Sequence, residues 1–247
     1  MIDGWPLDYW KSQEWKNVQD KLDILDASGV LYNPERDDLF RSIRLCSLRD
    51  CRVAIFGQDP YPDPVYAHGV AFSAAKRVLD TGSAGCYVGE GISPKTPASL
   101  RTIFREYIRD LHPIGEPTTL SLEDWCDQGV LLWNVTPTIE IDWNEIDEKW
   151  DTWSHKYWSE WSVLTQEIVE RLSAKGRVVF ALCGSRAHSY AKYVDTKEDY
   201  NSVLYFSHPS PRGQSLAINK FVGSRFFTTI NDRLVFHLQD TIDWRLP

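Results

Sequence analysis

The stretch RVAIFGQDPY (Arg52–Tyr61) is a short apolar run ended by Gly57 and followed at once by polar and turn-forming residues. An apolar run without polar alternation, bounded by a glycine, is the pattern of a strand buried on both faces. Three more runs repeat it: Val130–Trp133 leading into Asn134, Val178–Leu182 leading into Gly184-Ser185, and Val203–Phe206 leading into Ser207-His208-Pro209-Ser210-Pro211. Helical periodicity fills the intervals. Ser12–Ala27 reads as a helix closed near Gly29, and Arg36–Ser47 as a second with Leu39, Phe40, Ile43 and Cys46 on one face. Thr96-Pro97 reads as the cap and first-turn proline of a helix carrying Leu100, Ile103, Phe104, Tyr107 and Leu111. Ser121 with Asp124 reads as a capping box for a short helix stopping at Gly129. A long helix over Ser154–Ala174 turns Trp158, Trp161, Leu164, Ile168 and Leu172 inward, and a last one spans Ser224–Leu238. Ala74–Lys95 and Glu140–Thr152 read as irregular.

Buried strands separated by helices predict an α/β fold: a central four-stranded, parallel, twisted sheet with helices on both faces. No repeat, low-complexity stretch or linker divides the chain, so residues 1–247 are expected to form one domain. With 43% hydrophobic and 25% charged residues the composition is that of a globular protein. Cys46, Cys51, Cys86, Cys126 and Cys183 are scattered without a C-x-x-C pair, which fits a reducing compartment and supports neither a zinc nor an iron–sulfur site. The N-terminus lacks the basic and apolar regions of a signal peptide, and no apolar run approaches ~18 residues. A soluble intracellular monomer without membrane contact is the expectation, cytoplasmic, or nuclear for a eukaryotic or viral source.

The formal net charge of −8 opposes a protein that coats nucleic acid through bulk electrostatics. A compact DNA enzyme needs positive potential around one cleft only, and Lys95, Arg101, Arg186, Lys192, Arg212, Lys220 and Arg225 are the residues expected to ring it. Open α/β sheets bind ligands beyond the carboxyl ends of their strands, where the four polar clusters would converge. Taken singly, each chemical residue has an ordinary reading. Asp59 suits a turn before proline as well as a catalytic carboxylate, Asn134 can simply close a strand, and a loop histidine such as His208 is more often a surface group.

Their combination is more specific. GQDPYPDPVYAHGVAFS (Gly57–Ser73) resembles the GQDPYH…AHGLAFS motif of the common uracil-DNA glycosylases, and SHPSPRG (Ser207–Gly213) is similar to their HPSPLS loop. VLLWNVTPTI (Val130–Ile139) resembles the strand that delivers their uracil-reading asparagine, and Ile242-Asp243-Trp244 echoes a further feature near the end of the chain. The motifs occur in the family's order.

The resemblance implies a monofunctional glycosylase that flips uracil out of DNA and hydrolyses its bond to deoxyribose, leaving an abasic site. In it Asp59 orients or deprotonates the attacking water, and His208 hydrogen-bonds the uracil oxygen. Asn134 reads the N3–H and O4 edge, Tyr61 fills the space beside C5, Phe72 stacks on the base, and Gln58 lines the pocket through its backbone. Pro97, Ser99, Gly184, Ser185, Pro209, Ser210 and Arg212 match DNA-binding positions. The resemblance implies no cofactor and no metal. Its partners are uracil-containing single- or double-stranded DNA and a proteinaceous glycosylase inhibitor. The Ala74–Lys95 segment is longer than the family norm, and three further departures fall on the DNA-facing rim. Pro62 replaces a histidine, as in poxvirus relatives; Arg212 replaces a wedging leucine; and Gly213 replaces a phosphate-binding serine. Two alternatives remain open from sequence: a glycosylase for a modified base, or a DNA-binding replication accessory of the same fold.

Overall fold

The computed structural model describes residues 4–74, 87–88, 91–92, 96–113, 117–152, 159–197 and 200–247. Every apolar run becomes a strand: β2 (Val53–Gly57), β5 (Val130–Asn134), β8 (Val179–Cys183) and β9 (Ser202–Phe206). They form one parallel sheet in the order β5-β2-β8-β9, with Gly57 level with Asn134 and Cys183 level with Phe206. All four therefore deliver their polar clusters to one end. Since β5 lies on one side of β2 and β8 on the other, the order reverses at β2, and a crevice opens at such a reversal.

Alternate residues of the buried strands feed opposite layers. Trp133 on β5 donates its indole N–H to Thr165 of helix α5 (Glu160–Lys175), and α5 packs on α1 (Gln13–Ser28). The adjacent Leu132, with Ile55 and Cys183, faces Ile103 of α3 (Ala98–Leu111) and Phe226 of α8 (Phe226–Phe236). Helices thus cover both faces, as the continuous apolar pattern of the strands requires. Four of the buried tryptophans satisfy their indoles inside the core: Trp5 on the Cys46 carbonyl, Trp125 on the Trp244 carbonyl, Trp133 on Thr165 and Trp161 on Thr138. The Ile242–Trp244 segment is held there too, since Asn231 brackets Ile242 with two hydrogen bonds.

Ser12 caps α1 by accepting from Trp15 N, and Gly29 closes it in the left-handed conformation. The expected helix over Arg36–Ser47 is broken into a 3₁₀ turn (Arg36–Asp38) and α2 (Arg41–Leu45). The break is tertiary: Ser42 N donates to the Gly69 carbonyl, and Gly69 approaches so closely that a Cβ there would stand 1.7 Å from the Asp38 oxygen. Leu39, Phe40, Ile43 and Cys46 are buried nonetheless.

Other boundaries also move. Pro97 is itself the N-cap of α3 rather than its first residue, and the buried Thr96 hydroxyl has no hydrogen-bond partner among the described residues. Ser121 accepts from Glu123 N, so the anticipated box with Asp124 is not what starts α4 (Glu123–Cys126). Residues 153–158, Trp158 among them, lie outside the described residues, as do Cys86, Lys95 and all of Ala74–Lys95 except Ala74 and the paired strands β3 (Tyr87–Val88) and β4 (Gly91–Ile92).

The segment Glu140–Thr152, expected to be irregular, is instead a hairpin of β6 (Ile139–Asn144) and β7 (Lys149–Thr152). Short β1 (Tyr32–Asn33) pairs with β6 on its other side. The alternation Ile139, Ile141, Trp143 against Glu140 and Asp142 is the period-two signal of this hairpin's first strand. Among the described residues no helix is long and apolar enough to cross a membrane.

One buried charge organises the second layer. Glu106 on α3 is fully buried, and its carboxylate accepts the backbone N–H groups of Gly223, Arg225 and Phe226 at the start of α8. Asp110, one turn further along, accepts from Thr228 N at 2.8 Å and from its hydroxyl at 2.6 Å. Two carboxylates thus cap a helix N-terminus from a neighbouring helix, where the macrodipole favours them. Glu106→Leu orphans three donors and is expected to lower unfolding stability by about 3 kcal/mol. Urea unfolding with an unchanged m-value checks this, and Glu106→Gln, which keeps one acceptor oxygen, loses less.

Candidate active site

Beyond the carboxyl ends of the sheet lies a cleft of about 1170 Å³ lined by residues from all four strand-end clusters. Gln58, Asp59 and Tyr61 follow β2, Asn134 ends β5, Gly184 and Ser185 follow β8, and His208 follows β9. Phe72 completes the wall.

Gly57 makes this convergence possible. A Cβ there would stand 2.7 Å from Asn134 Oδ1 and 3.0 Å from Phe72 Cζ, so only glycine lets the amide and the ring close over the strand. Phe72 itself has φ 64°, unusual for a bulky residue and worth roughly 1–3 kcal/mol of strain. The Tyr61 hydroxyl holds it there by donating to the Phe72 carbonyl at 2.6 Å. Burial pushes the Tyr61 phenol far above its usual value, so it stays a neutral donor. Val135 N donates to the Gly57 carbonyl and Thr136 N to the Gln58 carbonyl, tying the two strand ends together. Asp59 accepts from Gln58 Nε2 at 2.9 Å.

His208 is the electrostatic key. Burial pushes its imidazole down to about 4. Ser210 N donates to His208 Nδ1 at 3.1 Å, so the neutral ring carries its proton on Nε2. A neutral Nε2–H donor offers a hydrogen bond to an oxygen on which negative charge develops. Gln214 steadies the loop through the Ser207 hydroxyl and the His208 carbonyl. Gly213 packs against that same carbonyl, and a Cβ would stand 2.2 Å from it, which accounts for glycine here.

Gln58, Asp59, Tyr61, Phe72, Asn134, His208, Ser99, Gly184, Ser185, Ser210 and Arg212 all line the cleft. Pro97 and Pro209 are buried and lie outside the lining set. The Ser210 hydroxyl accepts from Gly213 N and so caps α7 (Pro211–Leu216). Of the six basic residues expected at the rim that are described, Arg186 and Arg212 are among those lining it, and Arg101, Lys192, Lys220 and Arg225 are not; Lys95 lies outside the described residues. Asp59 is the one carboxylate among the described lining residues, where Arg186 and Arg212 also stand.

Sequence reading missed several supporting residues. Asn33, buried on β1, donates to the carbonyls of Tyr61 at 2.8 Å and Pro62 at 2.7 Å, fixing the loop from a separate sheet. His68 is buried and His188 half-buried. His68 is buried in the wall with Nδ1 3.3 Å from Glu123 Oε1, and that carboxyl is held down to about 2 by His68 and by Arg41. His188 Nε2 lies within hydrogen-bonding distance of the Leu182 and Phe206 carbonyls. His237 is also buried, against Ser202. No local sequence pattern announces these pairings.

Residues 43–234 match the uracil DNA glycosylase superfamily. The chain belongs to that superfamily. It is 34% identical over 227 residues to the uracil-DNA glycosylase of human herpesvirus 7, covering 92% of this chain and 78% of the relative. Against the enzyme of Vibrio vulnificus (strain YJ016) identity is 30% over 239 residues, covering 95% and 92%. In structure the chain superimposes on the mimivirus uracil-DNA glycosylase with a TM-score of 0.78 at 22% identity, covering 97% of this chain and 85% of that one. A mimivirus UNG variant in complex with UGI gives 0.75 at 22% identity, covering 97% and 87%.

Because the folded-state value of His208 lies below the ordinary 6.5, the unfolded chain takes up its proton first as pH falls. The stability associated with neutral His208 is complete above pH 6.5 and is lost between 6.5 and about 4. An NMR titration of the imidazole should place its midpoint near 4, with no His208 titration between pH 5 and 8.

Proposed function

We propose that this member of the superfamily is a uracil-DNA glycosylase of base-excision repair, hydrolysing the N-glycosidic bond of a flipped uracil and leaving an abasic site. The observation that carries the reading is the convergence of Asp59, Tyr61, Phe72, Asn134 and a neutral His208 on one cleft. Each supplies what the reaction demands. The C1′–N1 bond breaks with its electron pair leaving on uracil, so negative charge grows on the base and positive charge on the sugar. His208 Nε2–H faces the first as a hydrogen-bond donor, and the Asp59 carboxylate steadies the second while taking a proton from the water that adds to C1′. The Asn134 amide offers one donor and one acceptor to the N3–H and O4 edge; cytosine presents the reverse and would leave buried polar groups unpaired at ~1–3 kcal/mol each. Tyr61, pinned through its hydroxyl, excludes the thymine methyl, and Phe72 stacks on the ring.

We read the protein as a monofunctional enzyme with water as the nucleophile and Asp59 as the group that takes the water's proton. We read it also as a single-domain monomer. Its compartment is that of the DNA, cytoplasm or nucleus. The contacts to DNA are assigned to Ser99, Gly184, Ser185, Ser210 and Arg212, with Pro97 and Pro209 shaping the loops that carry them. Susceptibility to a proteinaceous inhibitor is part of the reading, supported by the mimivirus UNG–UGI complex of the same fold.

The test uses labelled single-stranded oligonucleotides bearing one uracil, thymine or cytosine, incubated in EDTA and then treated with alkali. Cleavage at uracil alone is expected, reduced in Asp59→Asn by roughly 10²–10⁴-fold. Product from no strand, or equal product from Asp59→Asn, would sink the reading. Tyr61→Ala should gain thymine release while keeping uracil release, measured on the same gel.

A further inference from the structure

The cleft exceeds the roughly 300–1,000 Å³ that a drug-sized ligand occupies, and uracil is smaller than that. Its far wall, past Ser207, carries Tyr205, Arg186 and His188. Tyr205 sits near the carboxyl end of edge strand β9 and is 59% exposed, although its neighbour Phe206 is buried. Its ring meets that of His188 at 5.2 Å and 85°, while His188 Nε2 engages the carbonyls of Leu182 and Phe206. A perpendicular contact covers at most one face of the phenol ring. Tyr205 is thus an exposed aromatic held by an edge contact with His188 in the lining of the same cleft that holds Asp59 and His208.

We propose that Tyr205 is a stacking platform for an unpaired base flanking the uracil nucleotide on the same strand. The proposal rests on the assignment of the cleft to uracil-bearing DNA and extends it to a second subsite. Stacking of a base on an aromatic face accepts any of the four bases, because each has a π-face. It requires the base to be out of a duplex, where neighbours cover both faces. The platform therefore favours single-stranded substrate, and Arg186 on the same wall brings positive charge to the strand's phosphates. A singly exposed aromatic on a protein surface is common and can be idle. What sets Tyr205 apart is its bracing by His188 and its place in the wall of the reaction cleft.

The experiment pairs protein variants with substrate variants. Full-length wild type, Tyr205→Ala, Tyr205→Phe and Tyr205→Leu act on single-stranded oligonucleotides with one uracil, in which each flanking nucleotide in turn becomes a tetrahydrofuran abasic residue. Tyr205→Ala and Tyr205→Leu should raise KM by about 5- to 150-fold, the equivalent of about 1–3 kcal/mol of base–aromatic stacking, with kcat within about twofold. Tyr205→Phe should restore wild-type KM. On the one substrate lacking the stacked base, wild type and Tyr205→Ala should become equal. Anisotropy of the same strands on Asp59→Asn, with and without Tyr205→Ala, reads the subsite without turnover. An unchanged KM and affinity, or a loss that persists on every abasic-substituted strand, would overturn the platform. Those outcomes leave Asp59-dependent uracil release by the wild type intact, whereas loss of that release would strike the functional reading instead.

Discussion

At Gly57 the end of a central strand carries a hydrogen where any other residue would carry a carbon, and the pocket closes over that vacancy. Asn134 from the next strand and the ring of Phe72 from the following loop both occupy the space that a Cβ would claim. Their approach depends in turn on the parallel register that sets Gly57 beside Asn134, and on the Tyr61 hydroxyl that holds Phe72 at positive φ. The Asn134 amide, the Phe72 ring and the Tyr61 phenol are therefore one packed unit. A side chain at position 57 would disturb all three together. Rigidity here matters because recognition of a flipped base relies on groups already aimed before the base arrives.

The electrostatics follow the same economy of placement. The chain is acidic overall, yet the cleft joins Asp59 to Arg186, Arg212 and an uncharged His208. Much of the negative charge stands elsewhere, for example on Glu140, Asp142, Glu145, Asp147, Glu148 and Asp151 of the β6–β7 hairpin. Exposed charges separated by more than a Debye length, about 8 Å at physiological ionic strength, are largely screened. Net charge thus says little about one cleft.

The departures from the family's motifs have local physical settings. Pro62 offers only its carbonyl to the hydrogen-bond network, and Asn33 takes that carbonyl together with the one before it. Gly213 stands where a side chain would run into the His208 backbone. Arg212 is exposed at the mouth of the cleft, with no such constraint on it.

Sequence alone determined the four strands of the central sheet, their order along the chain and the chemical residues at their ends. A fully buried parallel strand needs an unbroken apolar run, and a terminal glycine or polar residue marks where it stops. The local motifs also carried Asp59, Tyr61, Asn134 and His208, because those residues lie within or directly after such runs. The rest depended on contacts between distant segments. Gly69 pressing on the Asp38 carbonyl split a helix that periodicity alone would continue, and Ile139–Thr152 became a hairpin partly by pairing with two residues more than a hundred positions earlier. Asn33 reaching Tyr61, Glu106 capping α8 and His188 bracing Tyr205 leave no trace in neighbouring residues. Which nitrogen of His208 holds its proton was likewise decided only by the folded loop, where burial excludes the charge and the Ser210 amide occupies Nδ1.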